Sequence, residues 1–133
     1  MSPSQVLFDQ LFIQSSEKLG YDTYASLPRE GVPYPFVVIG NVHNLFVAHT
    51  DGITGRCSVD VHVFGDEESR ATVDEMISRL VSIVTIRGDG YVFHSRLREC
   101  SSDIVADDSV PNTKLWHGYG TLVVDWFKNR SDN

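Results

Sequence analysis

The sequence predicts an α+β domain in which two helices pack on one face of a four-stranded, largely antiparallel sheet, in the order α-β-β-α-β-β. Three observations predict it. Apolar residues recur with helical spacing in two separate segments, one near the N-terminus and one in mid-chain. Strict alternation marks residues 56–64, where Val59, Val61 and Val63 are interleaved with Ser58, Asp60 and His62. β-rich runs then fall in pairs, one pair after each helical segment, and two hairpins beside two helices form a two-layer arrangement.

The 133 residues read as one domain, 1–133, long enough to bury a core without disulfide or metal staples, with 128–133 as a frayed tail. Hydrophobic residues at 41% and charged residues at 22% fit a soluble globular chain rather than a disordered one. Eighteen acids against eleven Lys and Arg give a net charge of −7, which argues against nucleic acid as the principal ligand, since phosphate binding needs clustered bases. Apolar runs such as Phe36–Ile39 are too short to span a bilayer, so no membrane partner is expected. Met1-Ser2-Pro3-Ser4-Gln5 has no basic n-region, and Cys57 and Cys100 make no disulfide framework. A reducing, cytosolic compartment is the expectation.

The first helix is expected over 3–19. Ser2 suits the N-cap, Pro3 the first turn, and Gln5 a capping box; Leu7, Phe8, Leu11, Phe12 and Leu19 keep the helical period, and Gly20 supplies a left-handed stop. Tyr21–Pro35 reads as an extended piece and a turn, with Pro33 and Pro35 leading into a strand at 36–42. A long connection, 43–55, leads to the second strand, 56–64. A helix follows over 68–84, its stripe made by Val73, Met76, Ile77, Leu80, Ile83 and Val84. Gly88-Asp89-Gly90 turns the chain into a third strand, 91–100; 101–113 reads as a polar, acidic loop; the fourth strand is 115–127.

No constellation of catalytic residues emerges. Ser58, Asp60 and His62 are the residue types of a hydrolase triad, but on one strand Ser58 and His62 lie roughly 13 Å apart, beyond hydrogen-bond reach. The five histidines, His43, His49, His62, His94 and His117, form no metal-binding motif. His62, His94 and His117 would share a sheet face if their strands were neighbours, which half-exposed strand histidines often do without a metal. Arg87-Gly88-Asp89 reads as a turn, and Asn129-Arg130-Ser131 is expected to carry no sugar. Cys57 and Cys100 read as small strand residues. No phosphate-cradling glycine loop is present. The expectation is a non-enzymatic chain with no cofactor and no metal.

The loops carry the remaining signal. The 43–55 connection holds Leu45, Phe46, Val47 and Ile53, apolar where a loop should be polar, and reads as a projecting β-arm or a loop that docks on a partner. The 101–113 loop holds Asp103, Asp107 and Asp108. These seven residues are the candidate partner-binding set of an assembly module.

Against this reading, Pro33–Gly40 (PYPFVVIG), Ser58–Phe64 (SVDVHVF) and Gly118-Tyr119-Gly120-Thr121-Leu122 stand in the order and spacing of a known family. Over roughly residues 3–127 the chain resembles the tail-completion proteins of long-tailed bacteriophages, also described as tail terminator or tail-to-head joining proteins. The first of these segments is close to that family's PYPYVVIG strand. The resemblance implies a structural virion protein forming a hexameric ring at the head-proximal end of the tail tube. Its implied partners are further copies of itself, the tail tube protein, and the head connector or a head-completion protein. DNA would pass through the lumen without specific binding. The implied location is the host cytoplasm during assembly, then the head-tail interface of the virion. The family contributes no catalytic residues. Two alternatives stay open: a head-side connector or other minor tail component, and a small hydrolytic or metal-dependent enzyme using the Asp60/His62 strand face.

Overall fold

The computed structural model describes residues 1–46 and 54–128. The expectations for Val47, Ile53, the rest of 47–53, and the tail 129–133 lie outside the described residues.

Ser2 caps the first helix as its side chain suggests: the Gln5 backbone N–H donates to Ser2 Oγ at 3.3 Å, ahead of α1 (Pro3–Ile13). A π-helical turn, Gln14–Lys18, prolongs the helix, and Gly20 ends it at φ 75°. There follow β1 (Thr23–Tyr24), β2 (Phe36–Phe46), β3 (Thr54–Gly65), α2 (Arg70–Val81), β4 (Thr85–Gly88), β5 (Tyr91–Ser95), a 3-10 turn at Leu97–Glu99, β6 (Ser101–Asp107) and β7 (Leu115–Lys128).

The four-stranded expectation is overturned. The sheet has seven strands and is mixed, because β1 runs parallel to β2, and the element order is α-β-β-β-α-β-β-β-β. Three of the corrections have a common physical source: strands at a sheet margin need little apolar alternation, so their sequences read as loops. The 101–113 segment is the largest case. Ser101–Asp107 is β6, paired antiparallel with β7 from Ser101↔Thr121 to Asp107↔Leu115. The third strand therefore does not run over 91–100. It breaks after Ser95, passes through the 3-10 turn, and resumes along the same edge of β7 as β6. Cys100 accordingly lies between the turn and β6, not on a strand. The second case is β4, which forms a hairpin with β5 across Asp89-Gly90, both at positive φ (47° and 78°). The third is the start of the 43–55 connection: β2 continues to Phe46, with Leu45↔Arg56 and Phe46↔Gly55 in register with β3.

Both helices lie on the same face of this sheet. The inward residues of β3, Cys57, Val59, Val61 and Val63, are fully buried. They meet Val6, Leu7 and Leu11 of α1 and Val73, Met76, Ile77 and Leu80 of α2 in one core, with Ile39, Phe93, Leu122, Val124 and Trp126. α2 is shorter than expected, ending at Val81 rather than 84; Val84 is exposed. Gly118 and Gly120 of β7 face this helix. A Cβ on Gly118 would stand 2.8 Å from Val73 Cγ1, and one on Gly120 2.5 Å from the Ser101 carbonyl oxygen. The two glycines let the helix and the β6 backbone close on β7.

Candidate functional site

The opposite, outer face of the sheet carries no helix among the described residues. It collects the outward residues of β3 (Arg56, Ser58, Asp60, His62, Phe64) and of β7 (His117, Tyr119, Thr121, Asp125), all partly exposed. Cross-strand pairing sets His117 beside Phe64, Tyr119 beside His62, Thr121 beside Asp60 and Asp125 beside Arg56. The result is an aromatic ladder. Tyr24 meets Phe36 edge-on at 5.7 Å, Phe36 stacks on Phe64 at 5.3 Å, and Phe64 stacks on His117 at 4.4 Å. A cleft of about 420 Å³ opens beside it, lined by Leu27, Val38, Gly40, Asp60, His62, Phe64 and His117.

The polar groups on this face hold one another. His62 Nδ1 and His117 Nε2 are 2.9 Å apart, a distance that needs one ring to donate and the other to accept. Thr121 Oγ1 donates to Asp60 Oδ1 at 3.3 Å, and His43 Nε2 stands 3.5 Å from Asp60 Oδ2. Asp125 joins Arg56 and Arg96, each at 2.8 Å, and Arg96 also pairs with Glu99. Ser58, Asp60 and His62 thus do not assemble as a nucleophile, acid and base: Asp60 is engaged by Thr121 and His43, and His62 by His117. Of the three strand histidines two come together. His94 sits opposite Asp125, about 26 Å along β7 from His117. Among the described residues no three His, Cys, Asp or Glu side chains are grouped so as to hold a metal ion. On the inner side, Cys57 Sγ donates to Asn44 Oδ1 at 3.0 Å, and burial pushes its thiol up to about 11, so it is protonated at neutral pH.

Burial, and for His117 also the neighbouring His62, holds both imidazoles of the pair below the ordinary histidine value, against smaller opposing pulls from Asp60 and Asp107. The folded state therefore takes up these protons less readily than the unfolded chain. Stability should rise with pH between the lowered values and about 6.5, and be flat above, by at most ~1.4 kcal/mol per pH unit for each proton. Urea midpoints measured at pH 5 and 7.5 should differ, and the difference should shrink in His62→Gln/His117→Gln. An unchanged difference would place the acid sensitivity elsewhere.

The candidate partner residues are dispersed. Leu45 is 62% exposed near the end of β2. Phe46 closes that strand. Asp103 and Asp107 lie on β6, not in a loop, and Asp108 is exposed just beyond it. Leu45 and the β6 acids are thus on opposite margins of one sheet. Sequence alone sets His62 and His117 on one face only on condition that β3 and β7 are neighbours, and does not reach the aromatic ladder, because both need the β3–β7 register. The alternation of His117, Tyr119 and Thr121 against the glycines was the available signal.

No protein-family model matches the chain, and no curated protein matches it. Among solved structures it is similar to a chain in the virion of a native gene transfer agent particle, at 11% identity and a TM-score of 0.61. The superposition covers 91% of this chain and 96% of that one. At that identity the likeness shows a shared fold. No described helix is long and apolar enough to cross a membrane.

Proposed function

We propose that this chain is a structural component of a phage-like virion, built as a ring at the head-proximal end of the tail tube. There it stops tube growth and joins the tail to the head connector. The observation that carries this reading is the fold shared, over nearly the whole of both chains, with a chain of the gene transfer agent virion. The likeness of Pro33–Gly40 and Ser58–Phe64 to tail-completion strands supports it. So does the outer face, where Asp60 is held by Thr121 and His62 by His117, and neither converges on Ser58. The chain works by contact, without a cofactor. Its partners are further copies of itself, the tube protein and a head-side connector protein, with DNA passing through the lumen unbound. It assembles in the host cytoplasm and resides at the head-tail interface.

Native mass measurement with and without purified tail tubes tests the reading. A closed ring of about six chains seated on tube ends is expected, and omitting the protein should leave unjoined tails or tails of uncontrolled length. A single copy per tail in assembled particles would overturn the ring. Binding to the head connector alone, with no affinity for tubes, would move the protein to the head side.

A further inference from the structure

On the β5–β6 margin of β7 the strand edge is interrupted by the 3-10 turn at Leu97–Glu99, which buries none of its residues. The turn is nonetheless firmly held. Arg96 pairs with Asp125 and Glu99, and its backbone N–H donates to the Val123 carbonyl oxygen at 2.8 Å. Cys100 Sγ donates to the Arg96 carbonyl oxygen at 3.4 Å and accepts from the Val123 N–H at 3.4 Å. This scaffold presents two side chains to solvent: Leu97, 51% exposed, and Arg98, which has no ion pair among the described residues.

The cleft beside the aromatic ladder has the complementary chemistry. Leu27 and Val38 give it an apolar lining, Phe64 an aromatic ring and Asp60 a carboxylate, and no described Lys or Arg lines it. Asp60 keeps room for a further donor: a carboxylate offers about four acceptor sites, and its neighbours are Thr121 and His43.

We propose that the Leu97–Arg98 turn of one copy seats in this cleft of the next copy, with Leu97 against Leu27 and Val38 and Arg98 on Asp60. This rests on the ring reading above and names its interface. Two different patches meet, which is the contact type that closes into rings. In a chain of net charge −7, copies repel one another overall, and the contact sets a free base against an acid. A contact between two such turns would instead bring Arg98 against Arg98.

Height along the strands agrees. The turn lies between Ser95, opposite Val124, and Ser101, opposite Thr121. On the other margin β1 flanks β2 only at Val37 and Val38. Next comes the β2 bulge, between Ile39 and Val42, where Gly40 and Asn41 line the cleft. Through β3, Ile39 is level with Gly120 of β7 and Val42 with Leu122. The midpoints of turn and bulge therefore differ by only about 5 Å along the strands. Rotation about an axis along the strands keeps these heights and brings the β5–β6 margin of one copy to the β1–β2 margin of the next. β4 projects beyond the turn only at the heights of Asp125–Lys128, where β1 has ended and the facing margin is set back. The Arg96–Asp125 pair also puts the turn beside the outer face, on which the cleft opens.

Charge exchange between chains tests the contact. Arg98→Glu and Asp60→Lys, purified separately, should each melt within a few degrees of the wild type. Each should need at least about tenfold more protein to form rings, read as native mass, free and on purified tail tubes. Mixed in equal amounts, the two should assemble near the wild-type concentration, alternating around the ring, because every turn then meets a cleft of opposite charge. An effect confined to one chain cannot produce that rescue. Leu97→Ser, which changes no charge, should keep the wild-type melt and lose the ring mass. If wild type forms rings but the mixture stays apart, or if Arg98→Glu and Leu97→Ser assemble as the wild type does, the contact is wrong and the ring reading stands. Asp60→Lys rings that persist but no longer seat on tubes would give the cleft to the tube protein and overturn the contact. If wild type forms no ring even on tube ends, both readings fall.

Discussion

Val61→Asp is expected to abolish folding. Val61 is fully buried near the middle of β3, between Ile39 of β2 and Gly120 of β7, on the face covered by both helices. An aspartate there has no basic partner in the core, so it either keeps its charge out of water or takes up a proton and remains an unsatisfied polar group. Either outcome costs about 4 kcal/mol or more, a large part of the ~5–15 kcal/mol that holds a typical domain folded. Ser58→Asp, on the other face of the same strand, should shift the melt by only a few degrees. Circular dichroism with thermal melting reads both. If Val61→Asp melts like the wild type while Ser58→Asp does not, β3 is displaced by one residue and its two faces are exchanged.

That test targets the part of the fold that the sequence displays most openly. The alternation around Val59, Val61 and Val63 appears in the structure as buried and half-buried residues in strict succession from Thr54 to Gly65. The capping role of Ser2 and the α2 stripe of Val73, Met76, Ile77 and Leu80 were equally readable, because each depends on residues close in sequence. What stayed hidden depends on neighbours distant in sequence. β6 (SSDIVAD) has only Ile104 half-buried towards the core, so it shows no apolar alternation and reads as an acidic loop. β4 buries Ile86 alone, though the Asp-Gly turn after it was a usable hairpin signal. The outer face was partly legible: the polar residues of β3 were assigned to one face correctly, but the His62–His117 contact requires β7 to lie beside β3, which no local pattern states. The acidic candidates Asp103 and Asp107 read as loop residues but lie on the edge strand β6, while Leu45, read as part of a projecting β-arm or a docking loop, lies near the end of β2. Edge strands carry polar and apolar residues freely because only one side of their backbone is paired.

Gly120→Val should lower stability by about 3 kcal/mol or more, read as a fall in the urea midpoint. In sequence, Gly118-Tyr119-Gly120 looks like an ordinary alternating strand with its small residues inward; the structure gives those glycines a steric reason. A Cβ on Gly120 would lie 2.5 Å from the Ser101 carbonyl oxygen and 2.8 Å from Val81 Cγ1. The first atom is backbone, so no rotamer change relieves the clash, and β6 or α2 must move away from β7. Gly118 is different in kind: its nearest neighbours are side-chain atoms of Val73 and Ile77, at 2.8 and 3.4 Å. Gly118→Ala should therefore cost less than Gly120→Ala, and its cost should fall when Val73 is shortened to Ala. The double variant Gly118→Ala/Val73→Ala should be more stable than the sum of the two single losses by about 1 kcal/mol, since the two sites share one contact. No such rescue is expected for Gly120→Ala with Val73→Ala, because the obstructing atom there belongs to the β6 backbone. Strict additivity at Gly118, or an undisturbed midpoint for Gly120→Val, would mean that α2 and β6 do not close on β7 as tightly as these distances require.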